Sequence, residues 1–317
     1  MSEHDVTFGA MGCEVRLIVG AQAGAPDPAA AVRESRAWLA DFDARLSRFR
    51  PDSELCTWNA DPRETVPAST LLRAAAAAGV WAAHQTGGLV DPTLVDQLEG
   101  AGYISSRDAA GADSPNVAEA LRSAPPRRPA SASAAARWRQ IRVDDAVGTI
   151  SRPPGLRFDT GGAGKGLAAD ALAHRLAGHS RVMIDCGGDV RVTGRDAGER
   201  PITIEIEHPL TAKSLHSFAL GGGAVATSGI TRRIWRTRDG FAHHLLDPAT
   251  GRPAWTGLIQ ATALAATALE AETLAKAALL SGPAEARRIL SPHGGAIVHD
   301  NGGVELLGAL ELEGLAA

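Results

Sequence analysis

The sequence predicts an α+β fold in which short strands form antiparallel or mixed sheets and helices pack against them. Strand-like segments at 202–207 and 214–220 are joined by a connection too short for a crossover helix, which indicates antiparallel pairing. Other segments are rich in alanine or have apolar residues at helical spacing. No repeat of fixed period is present, so hairpins and helices are expected to share one fold.

The first third of the chain is predicted to contain a strand and two helices. Residues 6–19 have a strand pattern with a bend at 9–12. Asp27 or Pro28 then begins a helix that continues over 29–46, where apolar residues recur near helical spacing. A second, alanine-rich helix is predicted over 68–86, and the glycine pair that follows ends it.

A composition change marks the middle of the chain. Residues 105–136 are rich in proline, serine and alanine, which predicts a mobile surface insertion with a short helix at 117–122. Two short strands are expected next, at 138–143 and 148–152.

The second half of the chain alternates strands with two helices. A helix at 165–177 precedes a buried strand at 182–185, and a further strand is predicted at 224–228. Thr267 and Glu270 form a capping-box pattern at the start of a helix over 266–280. Strands at 296–298 and 304–307 complete the prediction.

Composition excludes several classes of function. The net charge is -4 and the isoelectric point is about 6.2, so no basic field indicates nucleic-acid binding. No apolar segment reaches the roughly 18–20 residues of a membrane helix, and no signal peptide is visible. Cys13, Cys56 and Cys186 are far apart and lack metal-type spacing. We therefore expect reduced thiols, a cytoplasmic location and no membrane partner.

A glycine-rich turn leads into a helix at 159–170. Backbone N–H groups at such a helix start carry partial positive charge, and Lys165 in the first turn adds a full one, which favours a phosphate. The segment is not a Walker A loop, because no serine or threonine follows the lysine. A plain tight turn is the alternative interpretation.

Three later segments carry further polar groups. Asp185 and Asp189 flank a Gly-Gly turn, for which a hairpin with solvated aspartates is the alternative. Hydroxyls at 227–228 precede Arg233 and form a candidate anion site. His244 follows them and is a candidate acid, base or positioning group, although a lone histidine there is more often structural.

Lysine is scarce in this chain. Only Lys165, Lys213 and Lys276 are present among 32 basic residues. Glu272 and Lys276 have i,i+4 spacing on the last long helix, and the ordinary interpretation is a surface salt bridge worth roughly 0.3–0.5 kcal/mol. The scarcity of lysine favours a functional role instead.

Arg48 and Phe49 could contact an anion or stack on a flat ring.

Taken together, these segments resemble the ApbE family of FAD:protein FMN transferases. The matches follow one another along nearly the whole chain, at 47–55, 90–93, 159–170, 184–190, 226–229, 233, 244–251 and 271–277. The resemblance implies a single catalytic domain over 1–317, with FAD bound in a cleft between two subdomains. It also implies that a Ser or Thr hydroxyl of an acceptor protein attacks the FMN phosphorus of FAD and that AMP leaves.

The resemblance also implies which residues form the site. The candidates for catalysis are His244, Lys276 and Asp189. The candidates for FAD binding are Met11, Arg48, Phe49, Gly161, Gly162, Lys165, Asp170, Gly187, Gly188, Thr227, Ser228, Gly229, Arg233 and His244.

The metal site departs from the family pattern. The resemblance implies Mg²⁺ on a helix with an aspartate and a threonine as ligands, whereas this chain has Glu272 and Lys276 there. Either Glu272 and a backbone carbonyl near Gly164 hold the ion, or the Lys276 ammonium, which cannot ligate, neutralises the diphosphate itself. Two further hypotheses follow: an FAD pyrophosphatase that uses water as acceptor, and an FAD-binding protein without catalysis.

Overall fold

An eight-stranded sheet forms the centre of the computed structural model, which describes residues 3–105, 117–238 and 240–310. In chain order the strands are β1 (Glu3–Ala10), β2 (Cys13–Gly20), β3 (Thr65–Pro67), β4 (Arg142–Asp144), β5 (Thr149–Ser151), β6 (Val182–Cys186), β7 (Asp189–Thr193), β8 (Ile202–Glu207), β9 (Ser214–Leu220), β10 (Gly223–Gly229), β11 (Ile234–Thr237), β12 (Gly240–His243), β13 (Leu246–Asp247), β14 (Arg252–Pro253), β15 (Leu258–Ala265), β16 (Gly295–His299) and β17 (Val304–Leu307). The central sheet has the order β1-β2-β6-β7-β10-β15-β16-β17, and every neighbouring pair is antiparallel.

The described residues form eight helices, several of which pack against the central sheet. They are α1 (Pro28–Leu46), α2 (Glu54–Ala60), α3 (Thr70–Gln85), α4 (Val95–Gly100), α5 (Val117–Ser123), α6 (Gly164–Arg175), α7 (Ala268–Ser281) and α8 (Pro283–Leu290). Side chains of Asp27, Ser53, Ser69 and Thr267 accept backbone N–H groups at the first turns of α1, α2, α3 and α7. None of the helices described combines the length and the apolar character that a membrane span needs.

The sheet separates two apolar layers because side chains alternate between its faces. Leu17 and Ile184 belong to the core that also contains Leu39 of α1 and Leu172 of α6. On the opposite face, Met183 belongs to a second cluster formed with the β8–β9 hairpin. A mixed α+β architecture with antiparallel sheets is therefore confirmed.

Helices α6 and α7 approach each other very closely. A Cβ atom on Gly166 would lie 2.6 Å from the Ala268 carbonyl oxygen and from the Leu269 Cα atom. Since both contacts are to backbone, only glycine permits this crossing. The crossing places the first turn of α6 against α7, and α7 carries the predicted site residues Glu272 and Lys276.

Several predicted elements differ from the structure. The single bent strand at 6–19 is the β1–β2 hairpin, because Met11 and Gly12 both have left-handed φ values, 53° and 65°. The strand at 138–143 is a 3₁₀ turn over Arg137–Gln140 followed by β4. Strand β15 and helix α8 were absent from the prediction. Most residues of β15 are buried on both faces, so it lacks the alternation that marks a strand.

The predicted mobile insertion also differs in its described part. The helix predicted at 117–122 is present as α5, and the following segment is tied to the rest of the chain. Ala130 N donates to Leu280 O at 2.8 Å, and Arg128 N donates to Trp255 O at 2.9 Å. These backbone bonds hold the segment in place despite its composition. Residues 106–116 of the predicted insertion lie outside the described residues.

Candidate functional site

A cavity of about 450 Å³ opens between the helical layer and the edge of the central sheet. Its walls come from the β1–β2 turn, the end of α1, the segment after α3, the first turn of α6, the segment after β12 and the middle of α7. Leucines at 89, 94, 98, 245 and 246 make part of the wall apolar. Such a mixture of apolar wall and few charged groups is typical of a cofactor or substrate site.

The glycine-rich turn before α6 forms one side of the cavity. Asp159 Oδ1 accepts the Gly161 N–H at 3.0 Å, and Gly164 N donates to Thr160 O at 2.7 Å. These bonds close the turn and begin the helix at Gly164. Lys165 in the first turn therefore lines the cavity together with Gly161 and Gly162.

Lys165 is paired with a buried carboxylate. Its Nζ atom lies 2.5 Å from Asp189 Oδ2, and the Asp189 side chain is only 1% exposed. Burial by itself lowers the pKa of Lys165, but the carboxylates of Asp189 and Glu272 outweigh that effect and raise its pKa above the ordinary value. Lys165 is therefore a permanent cation at the cavity wall.

A second buried ion pair lies on α7. Lys276 Nζ donates to Glu272 Oε1 at 2.7 Å, and Glu272 Oε2 accepts the Gly166 N–H at 2.8 Å. Glu272 is fully buried, and Lys276 is 8% exposed and lines the cavity. Burial raises the pKa of Glu272, and the Lys276 ammonium opposes that rise. Glu272 thus joins α7 to the start of α6 and fixes the position of Lys276.

His244 lies between the cationic and aromatic parts of the cavity wall. Burial, followed by the charge of Arg233, lowers the pKa of His244 well below its ordinary value. Its Nδ1 atom has no hydrogen-bond partner among the described residues, and its ring centroid is 6.3 Å from that of Tyr103. His244 is therefore a neutral imidazole near pH 7, and burial together with the nearby cations disfavours its protonated form.

The aromatic part of the wall is built around Arg48. Its guanidinium carbon lies 4.2 Å from the Phe49 ring centroid and 4.5 Å from that of Tyr103. Arg48 Nε is 3.2 Å from Asp159 Oδ2, and Tyr103 stacks on Trp235 with centroids 5.5 Å apart. These contacts hold flat groups at the cavity, where they can stack on a planar ligand.

Sequence reasoning missed Tyr103 and Trp235. Tyr103 is the only tyrosine of the chain, and that rarity was the one signal available. It follows α4, an element that the sequence did not predict. Asp91 also lines the cavity, and it lies in the segment 90–93, which resembles the family and for which no site residue was predicted. The Thr93 hydroxyl and backbone N–H donate to Asp91 Oδ1 at 2.6 and 2.8 Å.

The predicted site residues divide into two groups. Those that line the cavity are Met11, Arg48, Phe49, Gly161, Gly162, Gly164, Lys165, Arg233, His244 and Lys276. Those outside its lining are Asp170, Gly187, Gly188, Asp189, Thr227, Ser228, Gly229 and Glu272.

Three residues of the second group hold elements of the cavity wall in place. Asp189 and Glu272 pair with the two lysines that do line the cavity. Asp170 accepts the N–H groups of Ala268 and Leu269, both at 2.9 Å, and so caps α7.

The hydroxyls and glycines of the second group belong to the central sheet. Thr227 Oγ1 is 2.9 Å from Thr262 Oγ1 on the neighbouring strand β15. Ser228 and Gly229 follow it on β10. Gly187 and Gly188 form the β6–β7 turn with φ values of +69° and +94°.

The donor set does not fit a divalent cation at the predicted position. Both Glu272 oxygens already accept N–H groups, and the ammonium of Lys276 offers no lone pair. Asp189, the nearest other carboxylate in the cluster, is paired with Lys165. Over 3–105, 117–238 and 240–310, no three His, Cys, Asp or Glu side chains converge as metal ligands would.

Comparison with known proteins places these features in context. The ApbE family model matches residues 11–298. The FAD:protein FMN transferase of Treponema pallidum is 26% identical over 302 residues, which cover 89% of this chain and 78% of that protein. The FAD:protein FMN transferase of Escherichia coli K12 is 30% identical over 148 residues, and the match spans 45% of this chain but only 42% of that relative's length.

The fold has also been observed in solved structures. The crystal structure of the ApbE protein from Thermotoga maritima superposes with a TM-score of 0.79 over 98% of this chain and 99% of that one. The two sequences are 24% identical, so this likeness concerns the fold.

Proposed function

This chain belongs to the ApbE family, and from that premise we propose that it transfers the FMN half of FAD to a Ser or Thr hydroxyl of an acceptor protein and releases AMP. The names of the relatives supply the reaction class. One observation of the structure supports it most strongly. A single cavity is lined by two lysines, Arg233, a neutral histidine and an aromatic wall.

The cations of this cavity suit a diphosphate. Lys165, Arg233 and Lys276 all line it, and Arg233 and Lys276 both act electrostatically on His244. Phosphoryl transfer depends on neutralising charge and on holding the attacking and leaving oxygens in line. Lys165 and Lys276 are held by their carboxylate partners, and together with Arg233 they bring positive charge to the cavity to meet the first requirement.

The aromatic wall suits a planar ring. Phe49 and Tyr103 flank the Arg48 guanidinium, and apolar leucines continue the surface. Because His244 lies between this wall and the cations, a ligand with a flat ring at one end and a diphosphate at the other would pass directly beside it. The FMN half of FAD has this construction, because its flat isoalloxazine ring is joined through a ribityl chain to the diphosphate.

The proposed reaction forms and breaks one phosphorus–oxygen bond. The acceptor hydroxyl oxygen bonds to the FMN phosphorus, while the bond from that phosphorus to the bridging oxygen breaks and AMP leaves with the electron pair. His244 is neutral at physiological pH, and the negative charge of a bound diphosphate would oppose the burial and the cations that lower its pKa, so that its imidazole can accept the hydroxyl proton. Asp189 acts through Lys165, which makes it a positioning residue. A cytoplasmic location stays a prediction.

Mass spectrometry tests the proposal directly. The protein is incubated with FAD and with candidate acceptor proteins encoded beside its gene. An acceptor should gain the mass of one FMN moiety while AMP appears in equal amount. His244→Ala should lower the rate by about 100-fold or more, as expected for loss of a general base. His174→Ala, an exposed histidine on α6, is the matched control and should leave the rate unchanged.

Two outcomes would contradict transfer to a protein. Release of FMN and AMP at the same rate with and without acceptor would indicate a pyrophosphatase. Binding of FAD with no AMP under any condition would indicate a protein that binds flavin without catalysis.

A further inference from the structure

The ion pair on α7 occupies the place where a metal ion is expected in this family. Glu272 is fully buried and Lys276 is 8% exposed, so this pair is not the solvated surface salt bridge that i,i+4 spacing usually produces. A buried pair is retained at a considerable desolvation cost. The Lys276 side chain lines the cavity and Glu272 lies behind it, so the ammonium is the member of the pair that would face a bound ligand.

Glu272 has no free oxygen for a cation. Its two oxygens accept the Lys276 ammonium at 2.7 Å and the Gly166 N–H at 2.8 Å. A metal ion bound there would either displace one of these groups or occupy a remaining lone pair beside the Lys276 ammonium, where the two positive charges repel each other. Displacing either group leaves a buried polar atom unsatisfied.

Lys276 keeps donors for a ligand. An ammonium has three N–H donors, and Glu272 accepts one of them. The backbone bond from Gly166 prevents Glu272 from turning away, so the ammonium stays at the cavity wall in one position. Lys165, held by Asp189, is a second such cation.

We propose that the Lys276 ammonium, positioned by Glu272, neutralises the ligand diphosphate in place of a divalent cation, so that this protein binds and uses FAD without metal. The expectation that FAD is used without metal rests on the proposed function. The expectation that FAD is bound without metal does not depend on turnover, and it is measured separately.

Binding is measured by the change in flavin fluorescence as the full-length protein is titrated into FAD, in EDTA and in Mg²⁺. The two dissociation constants should agree within twofold. Lys276→Met together with Glu272→Gln should weaken binding at least tenfold in EDTA. The glutamine keeps an acceptor for the Gly166 N–H and leaves no buried charge unpaired. Lys213→Met removes an exposed lysine and should change nothing.

A second readout uses Mn²⁺ as a paramagnetic probe. The electron paramagnetic resonance signal of free Mn²⁺ in a mixture with FAD should be the same with and without the protein. Loss of one equivalent of that signal only when protein is present would overturn the inference. Equal FAD affinity in the double variant and the wild type would overturn it as well.

Turnover separates the two proposals. Transfer of FMN to an acceptor with release of AMP in EDTA supports both of them. AMP release only with Mg²⁺ overturns the metal-free inference and leaves the transferase intact. Metal-independent, Lys276-dependent binding of FAD with no AMP under any condition supports the inference and contradicts the transferase.

Discussion

The carboxylate of Asp170 accepts backbone N–H groups in the first turn of α7, and we expect its removal to lower the stability of the protein measurably. Its two oxygens accept the N–H groups of Ala268 and Leu269, both at 2.9 Å. Arg191 Nε lies 3.3 Å from Oδ1. Asp170→Ala therefore leaves two helix N–H groups without their acceptor, and the Arg191 guanidinium loses its carboxylate while it keeps the carbonyl oxygens of Val192 and Gly223.

The magnitude follows from these contacts. Each N–H left without a partner costs roughly 1–3 kcal/mol. Burial raises the pKa of Asp170 despite the backbone N–H groups and Arg191, so the variant regains part of the cost of burying the carboxylate. Thr267 still accepts the Glu270 N–H at 3.3 Å, which keeps one cap in place. We expect a net loss of about 2–3 kcal/mol in the free energy of unfolding.

Urea unfolding followed by tryptophan fluorescence measures this loss. Asp5→Ala is the matched control, because it removes an aspartate whose pairing with Arg16 at 2.7 Å is about half exposed. An exposed pair contributes about 1 kcal/mol or less. If Asp170→Ala unfolds at the same urea concentration as Asp5→Ala, then the carboxylate does not hold α7 and the reasoning fails.

Three further perturbations are predicted. Gly166→Ala places a Cβ atom 2.6 Å from Leu269 Cα and should push α6 away from α7. A lower thermal unfolding midpoint and weaker FAD binding are expected, and unchanged values would contradict the close crossing. Burial lowers the pKa of His243 to about 3, so this imidazole stays neutral in the folded state while it becomes protonated in the unfolded chain below pH 6.5. The free energy of unfolding should therefore fall by about 1.4 kcal/mol for each pH unit below 6.5 because of His243. Urea midpoints from pH 7.5 to 5.5 should therefore fall less steeply in His243→Gln than in the wild type, and parallel slopes would refute the assignment. Arg48→Met leaves Asp159 buried without its cation and should lower the free energy of unfolding by about 3–5 kcal/mol. Adding Asp159→Asn should recover part of that loss. If the two effects are strictly additive in a double-mutant cycle measured by urea unfolding, the pair does not interact.

Local chemistry in the sequence determined the ends of elements and the tight turns. Asp27 and Thr267 cap helices α1 and α7 as predicted, because a cap needs only its own residue and the N–H groups two or three positions later. The helix after the glycine-rich turn begins at Gly164 without a side-chain cap, and the local bonds of Gly164 N to Thr160 O and of Gly161 N to Asp159 Oδ1 close the turn before it. These features depend on contacts within one turn of chain, which a sequence pattern can report.

Only the tertiary structure decided what each charged residue faces. The spacing of Glu272 and Lys276 fits an exposed pair as well as a buried one, and burial follows from the crossing of α7 with α6. Tyr103 joins the site from a segment without a motif. Partners far apart in sequence are selected by packing, and packing depends on the whole fold rather than on any local pattern.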